Sequence, residues 1–172
     1  RDPGEQDMRK ALLALQAEHV DTVKVKVGRA AVEDDLDRLD ALFASLPQGM
    51  TVRLDANQAW SLAEARTALD AVQHRRALEY IEEPLTADAD LRAFLDETPV
   101  PVALDETIRQ RGVDAVSDWP VEAFVVKPAW MGIRRVHELA AQAGDTPVIV
   151  TSAYETGVGW RGTFATALQV TP

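Results

Sequence analysis

The chain has 172 residues, is 47% hydrophobic, contains no cysteine and carries a formal net charge of −10. This suits one packed domain and excludes disulfides, thiolate zinc sites and cysteine nucleophiles. A pI near 4.7 argues against nucleic-acid and anionic-membrane partners, which need a basic footprint, and no apolar run approaches the roughly 20 residues of a membrane span.

The chain opens at Arg1 rather than Met and shows no signal-peptide pattern, so it reads as a piece of a longer cytoplasmic protein. Met8 to Glu18 predicts a helix with Met8, Leu12, Leu13 and Leu15 on one side, and Val20 to Val27 a strand. A helix follows from Val32 to Leu46, then a strand from Thr51 to Asp55. Ser61 with Glu64 three residues on is a capping-box start for the next helix. Leu78 to Glu82 is a strand, with a helix near Asp88 to Asp96. Val100 to Leu104 is a strand, with a helix from Thr107 to Val116. Ala123 to Val126 and Pro147 to Thr151 are strands, each followed by a helix, Ile133 to Ala143 and Gly159 to Gln169.

Six strand–helix units in a row, with no linker, predict an α/β fold with a parallel sheet. No glycine-rich phosphate loop marks a doubly wound sheet. Instead Lys26, Asp55, Glu82, Asp105, Lys127 and Ser152 fall at successive strand ends, spaced by 29, 27, 23, 22 and 25 residues. Charged groups at the carboxyl ends of consecutive parallel strands converge on the mouth of a (β/α)8 TIM-type barrel, and such barrels run to about 250 residues. The expectation is therefore an incomplete barrel of about six βα units, spanning 1–172 as one partial domain.

Only four of the 18 basic residues are lysines, and three of them, Lys24, Lys26 and Lys127, sit in valine-rich strands. A desolvated lysine can titrate near neutrality where arginine cannot. Lys24 and Lys26 are two apart, so they share one face of their strand, with Val23, Val25 and Val27 on the other. Lysines on an edge strand also discourage aggregation, but a closed barrel has no edges. Asp55, Glu82 and Asp105 each have a plain reading as caps or turns. Together, three acidic strand ends in one mouth need a cation, and an all-carboxylate donor set suits Mg²⁺, with Mn²⁺ as a substitute, rather than zinc. Ser152, Glu155 and Thr156 follow the last strand, where hydroxyls and helix-start amides suit a substrate carboxylate or serve as a cap. Trp60 and Trp130 follow strand ends and line either a pocket or the core.

These motifs, Lys24-Val25-Lys26, Asp55-x-Asn57, Ile81-Glu82-Glu83-Pro84, Leu104-Asp105-Glu106 and Lys127-Pro128, resemble in order and spacing those of the enolase superfamily, and within it the muconate-lactonizing subgroup. The resemblance places the six units as strands 2–7 of the barrel, with the capping domain absent from this sequence. It implies Mg²⁺ on Asp55, Glu82 and Asp105, with Glu83 and Glu106 orienting those ligands and Asn57 as a polar neighbour. It further implies Lys26 as the acid/base, Lys24 in support, and Lys127 facing the opposite side of an enediolate. The stretches Lys127-Pro128 and Thr151 to Thr156 resemble the o-succinylbenzoate synthase family, which implies elimination of water from a small cyclic carboxylate. Racemisation or epimerisation, cycloisomerisation, and a non-catalytic barrel scaffold are the alternatives. A homo-oligomer is compatible with all of them.

Overall fold

The computed structural model describes residues 3–87 and 89–170. They fall into two compact units, divided between Ala89 and Asp90.

The first unit runs α1 (Pro3–Ala17), β1 (Thr22–Lys26), α2 (Val32–Ser45), β2 (Thr51–Asp55), α3 (Leu62–Val72) and β3 (Leu78–Glu82). The three strands are parallel, β1 on β2 and β2 on β3, and Lys26, Asp55 and Glu82 are register partners in turn. Helix α1 begins before the expected Met8, and its end is set by His19, whose φ of 63° turns the chain into β1. The strand is consequently shorter than the apolar run Val20 to Val27 suggested. Glu33, Asp34 and Asp35 fill the first turn of α2, where negative charge complements the helix dipole. Helix α3 starts on the reciprocal Ser61–Glu64 capping box read from the sequence. Val25 and Val27 of the β1 region line a small cavity with Met8, Leu39 and Leu42, so the valine face does turn to the helices.

The second unit runs α4 (Leu91–Glu97), β4 (Val102–Leu104), α5 (Glu106–Arg111), β5 (Ala123–Val126), α6 (Pro128–Met131), α7 (Ile133–Gln142), β6 (Val148–Val150) and α8 (Gly157–Val170). Strands β4, β5 and β6 are also parallel. Every residue of β4 and β5 is buried, as expected of strands covered on both faces. Asp90 caps α4 by accepting the Ala93 amide at 3.0 Å, and the expected start at Asp88 lies outside the described residues. Helix α5 stops at Arg111, well before Val116, because Gly112 takes φ 90° and a single 3-10 turn, Val113–Ala115, follows. The short α6 was not foreseen. Pro128 at its first position and Gly132 at φ 84° confine it to one turn.

Candidate active site

In the first unit the predicted residues meet at the ends of three adjacent strands. Asp55 and Glu82 are 0% and 1% exposed and lie in register on β2 and β3. Two buried carboxylates side by side cannot both stay ionised without a cation. The Lys24 Nζ supplies one, 2.8 Å from Asp55 Oδ2 and 3.2 and 3.1 Å from the two oxygens of Glu82. The Lys26 Nζ reaches the same Asp55 Oδ2 at 2.5 Å and donates to Asn57 Oδ1 at 2.7 Å. Asp55 Oδ1 accepts the Asn57 amide at 3.1 Å.

The electrostatics follow from this knot. Burial raises the Asp55 carboxyl, but hydrogen bonds from Lys24 and Lys26 outweigh it and hold the group below its ordinary 3.8. Burial likewise pulls the Lys24 ammonium down, and the Asp55 and Glu82 carboxylates return it to above 10.5.

The loops after β2 and β3 are tied together. Asn57 and Gln58 both take left-handed φ, 46° and 60°, and Glu83 takes 44°. These turns let the Gln58 amide donate to the Glu83 carbonyl at 2.8 Å, while the Gln58 side chain donates to Glu83 Oε2 at 3.0 Å. Glu83 is fully buried behind the site. Gln58 was missed in the sequence, where it looks like any loop residue.

Below Lys24, toward the strand starts, lies a second cluster the sequence reading also missed. Arg53 Nε donates to Glu79 Oε2 at 2.5 Å, and its guanidinium carbon lies 5.1 Å from the Tyr80 ring centroid. Thr22 and Thr51 hydroxyls are 2.8 Å apart, and both contact Glu79 Oε1. Burial pushes the Tyr80 phenol up to about 12, so it stays neutral beside Arg53. The available signal was parity: Thr22 shares its strand face with Lys24 and Lys26, and Thr51 and Arg53 share theirs with Asp55.

In the second unit Asp105 occupies the N-cap position of α5, is 7% exposed, and forms an ion pair with Lys127 at the end of β5. Glu106 is the first residue of α5 and half-buried. Trp130 is half-exposed, with Lys127 Nζ and the Arg109 guanidinium 4.9 and 5.2 Å from its ring centroid. Trp60, by contrast, is a core residue of the first unit. Glu155 folds back on its own loop: Oε2 accepts the Ala153 amide at 2.7 Å and Oε1 the Thr163 hydroxyl at 3.3 Å. Ser152 is half-buried and Thr156 exposed, just before α8.

Among the described residues no group of three His, Cys, Asp or Glu side chains could by itself hold a metal ion. The donor chemistry of the first unit nonetheless fits a hard divalent cation: Asp55 and Glu82 are oxygen donors, buried, in register, and share a cationic partner.

A family model described as Enolase C-terminal domain-like matches residues 7–171. The chain belongs to that family. Within the enolase-like family it is 32% identical over 99% of its length to the o-succinylbenzoate synthase of Enterobacter sp. (strain 638), and spans 53% of that relative. The crystal structure of o-succinylbenzoate synthase from Thermosynechococcus elongatus BP-1, complexed with Mg in its active site, superposes with a TM-score of 0.74 at 30% identity, covering 94% of this chain and 53% of that one. The N-succinyl Arg/Lys racemase of Bacillus cereus ATCC 14579 gives a TM-score of 0.82 at 24% identity, covering 95% of this chain and 46% of that one, which shows a shared fold. The chain thus spans about half the length of the relatives it matches, and its fold class is that of a partial TIM-type barrel in the enolase-like family.

Proposed function

We propose that the protein carrying this chain is an o-succinylbenzoate synthase, a lyase that eliminates water from 2-succinyl-6-hydroxy-2,4-cyclohexadiene-1-carboxylate on the route to menaquinone. The observation that carries the reading is the knot of Lys24 and Lys26 on the buried Asp55–Glu82 pair, in a chain 32% identical over nearly its whole length to a protein of that activity. The placement of a small-molecule carboxylate as substrate and of the protein in the cytoplasm belongs to the same proposal. No described helix is long and apolar enough to cross a membrane.

Asp55 and Glu82 would hold Mg²⁺, and the family resemblance implies Asp105 as a third ligand. Bound there, Mg²⁺ would offset the charge that develops on the substrate carboxylate. Lys24 and Lys26 share Asp55 Oδ2 as their anchor, so both Nζ atoms stand beside the carboxylate pair, and the Lys24 ammonium would help to offset that charge. Lys26, as the free amine, takes the proton α to the carboxylate. The new carbon–carbon double bond forms as the β-hydroxyl leaves, and the Lys26 ammonium returns its proton to that hydroxyl, releasing water and an aromatic ring. Asn57 holds the Lys26 Nζ toward the strand ends. Glu83 would orient the Asp55–Glu82 pair and Glu106 its neighbour Asp105, and the family resemblance makes Lys127 a second lysine that acts on the intermediate. Ser152 and Thr156 supply hydroxyls for the substrate's second carboxylate, and Glu155 shapes the loop that presents them.

The test uses the full-length protein. Lys26→Ala is expected to lower turnover by about 10²–10⁴, the usual worth of a positioned acid/base. With a non-eliminating analogue in deuterium oxide, exchange from a single face supports dehydration. Equal exchange from both faces, lost from one face in Lys127→Ala, would point to racemisation and overturn the reading.

A further inference from the structure

The pairing of β2 with β3 skips a residue. Val52 is in register with Leu78 and Arg53 with Tyr80, leaving Glu79 as the extra residue of a bulge. A bulge sets two residues of one strand against one of its neighbour and re-aims their side chains. Here both grip Arg53, Glu79 through the Nε hydrogen bond at 2.5 Å and Tyr80 through its ring. The other oxygen of Glu79 is fixed by the hydroxyls of Thr22 and Thr51, so the carboxylate is itself held.

Arg53 is two residues before Asp55 on the same face and in register with Lys24. A guanidinium keeps its proton and pairs with carboxylates in bidentate fashion. Unrestrained, it is a strong local competitor for the buried pair. We propose that Glu79 is a positioning residue that holds Arg53 off the Asp55–Glu82 carboxylates and so keeps them open to Lys24 and a divalent cation. This inference rests on the reading that the carboxylate pair binds Mg²⁺.

The experiment measures Mg²⁺ affinity of the full-length protein by calorimetry for wild type, Glu79→Ala, Glu79→Gln, Arg53→Met and the Glu79→Ala/Arg53→Met double variant. Glu79→Ala is expected to weaken binding about tenfold, within the range usual for groups that orient metal ligands. Glu79→Gln, which retains an acceptor for Nε, should fall between. Removing Arg53 as well should restore affinity to within about threefold of Arg53→Met, since the competitor is gone. Unchanged affinity in Glu79→Ala, or a double variant as weak as Glu79→Ala, overturns the proposal. If the wild type binds no Mg²⁺, the functional reading fails instead, and the crystal structure of Glu79→Ala decides the inference. The guanidinium then moves onto Glu82 or Asp55 if Glu79 restrains it, and stays over Tyr80 if it does not.

Discussion

Asp55 and Lys24 carry opposite titration signatures. Asp55 is depressed, so its contribution to stability is complete above the ordinary carboxylate range and is lost as pH falls through its lowered value. Lys24 is raised, so its contribution is complete below 10.5 and disappears as pH climbs through its raised value. Metal-free protein should therefore show a stability plateau between those limits in urea denaturation followed across pH. Lys24→Met removes the ammonium that bridges the two buried carboxylates. At neutral pH the expected loss is about 1–3 kcal/mol, kept to that range because the Lys24 side chain is 36% exposed and partly screened. The loss should shrink on acidification, since a neutral carboxyl needs no counter-charge; a pH-independent difference contradicts this account. The lysine pair and the acidic strand ends were legible in the sequence because lysine is scarce and the strand period is two. Glu79 was not legible, because its parity places it on the helix-facing side and only the bulge, a property of pairing, brings it to Arg53.

The elements explain why the strand ends hold still. After β1 the chain turns at Gly28, φ 78°, where its amide donates to the buried Asp35 of α2 at 2.5 Å. A Cβ there would lie 2.5 Å from that of Ala59, in the loop after β2. Gly28→Ala thus combines an unfavourable φ with a steric clash and should cost at least about 2 kcal/mol in thermal or urea unfolding. A loss below half of that would mean the loop adjusts freely and does not position Lys26. The α3 capping box is a useful contrast. Ser61→Ala should cost about 1 kcal/mol while leaving Mg²⁺ affinity unchanged, because it breaks a helix start away from the carboxylates. The capping box and strand alternation are local signals, and the start of α3 and the order of the strands that they mark were placed correctly. The end of α5 was overrun because apolar spacing continues past Gly112, and α6 was hidden because a one-turn helix carries no periodicity.

At the scale of the whole chain, strict βα alternation revealed the fold class, since nothing but a parallel sheet accommodates it. Parallel pairing within each unit and the match of residues 7–171 to the enolase-like family agree with that reading. The chain spans 53% of its Enterobacter relative, so the activity must be measured in the full-length protein. The central claim is that Asp55 and Glu82 form a divalent-cation site beside Lys24. Calorimetric titration of Mg²⁺ into the full-length protein and its Asp55→Asn variant tests it most directly. The account predicts one site in the wild type and none in Asp55→Asn; equal binding by the two proteins, or no binding by either, contradicts it.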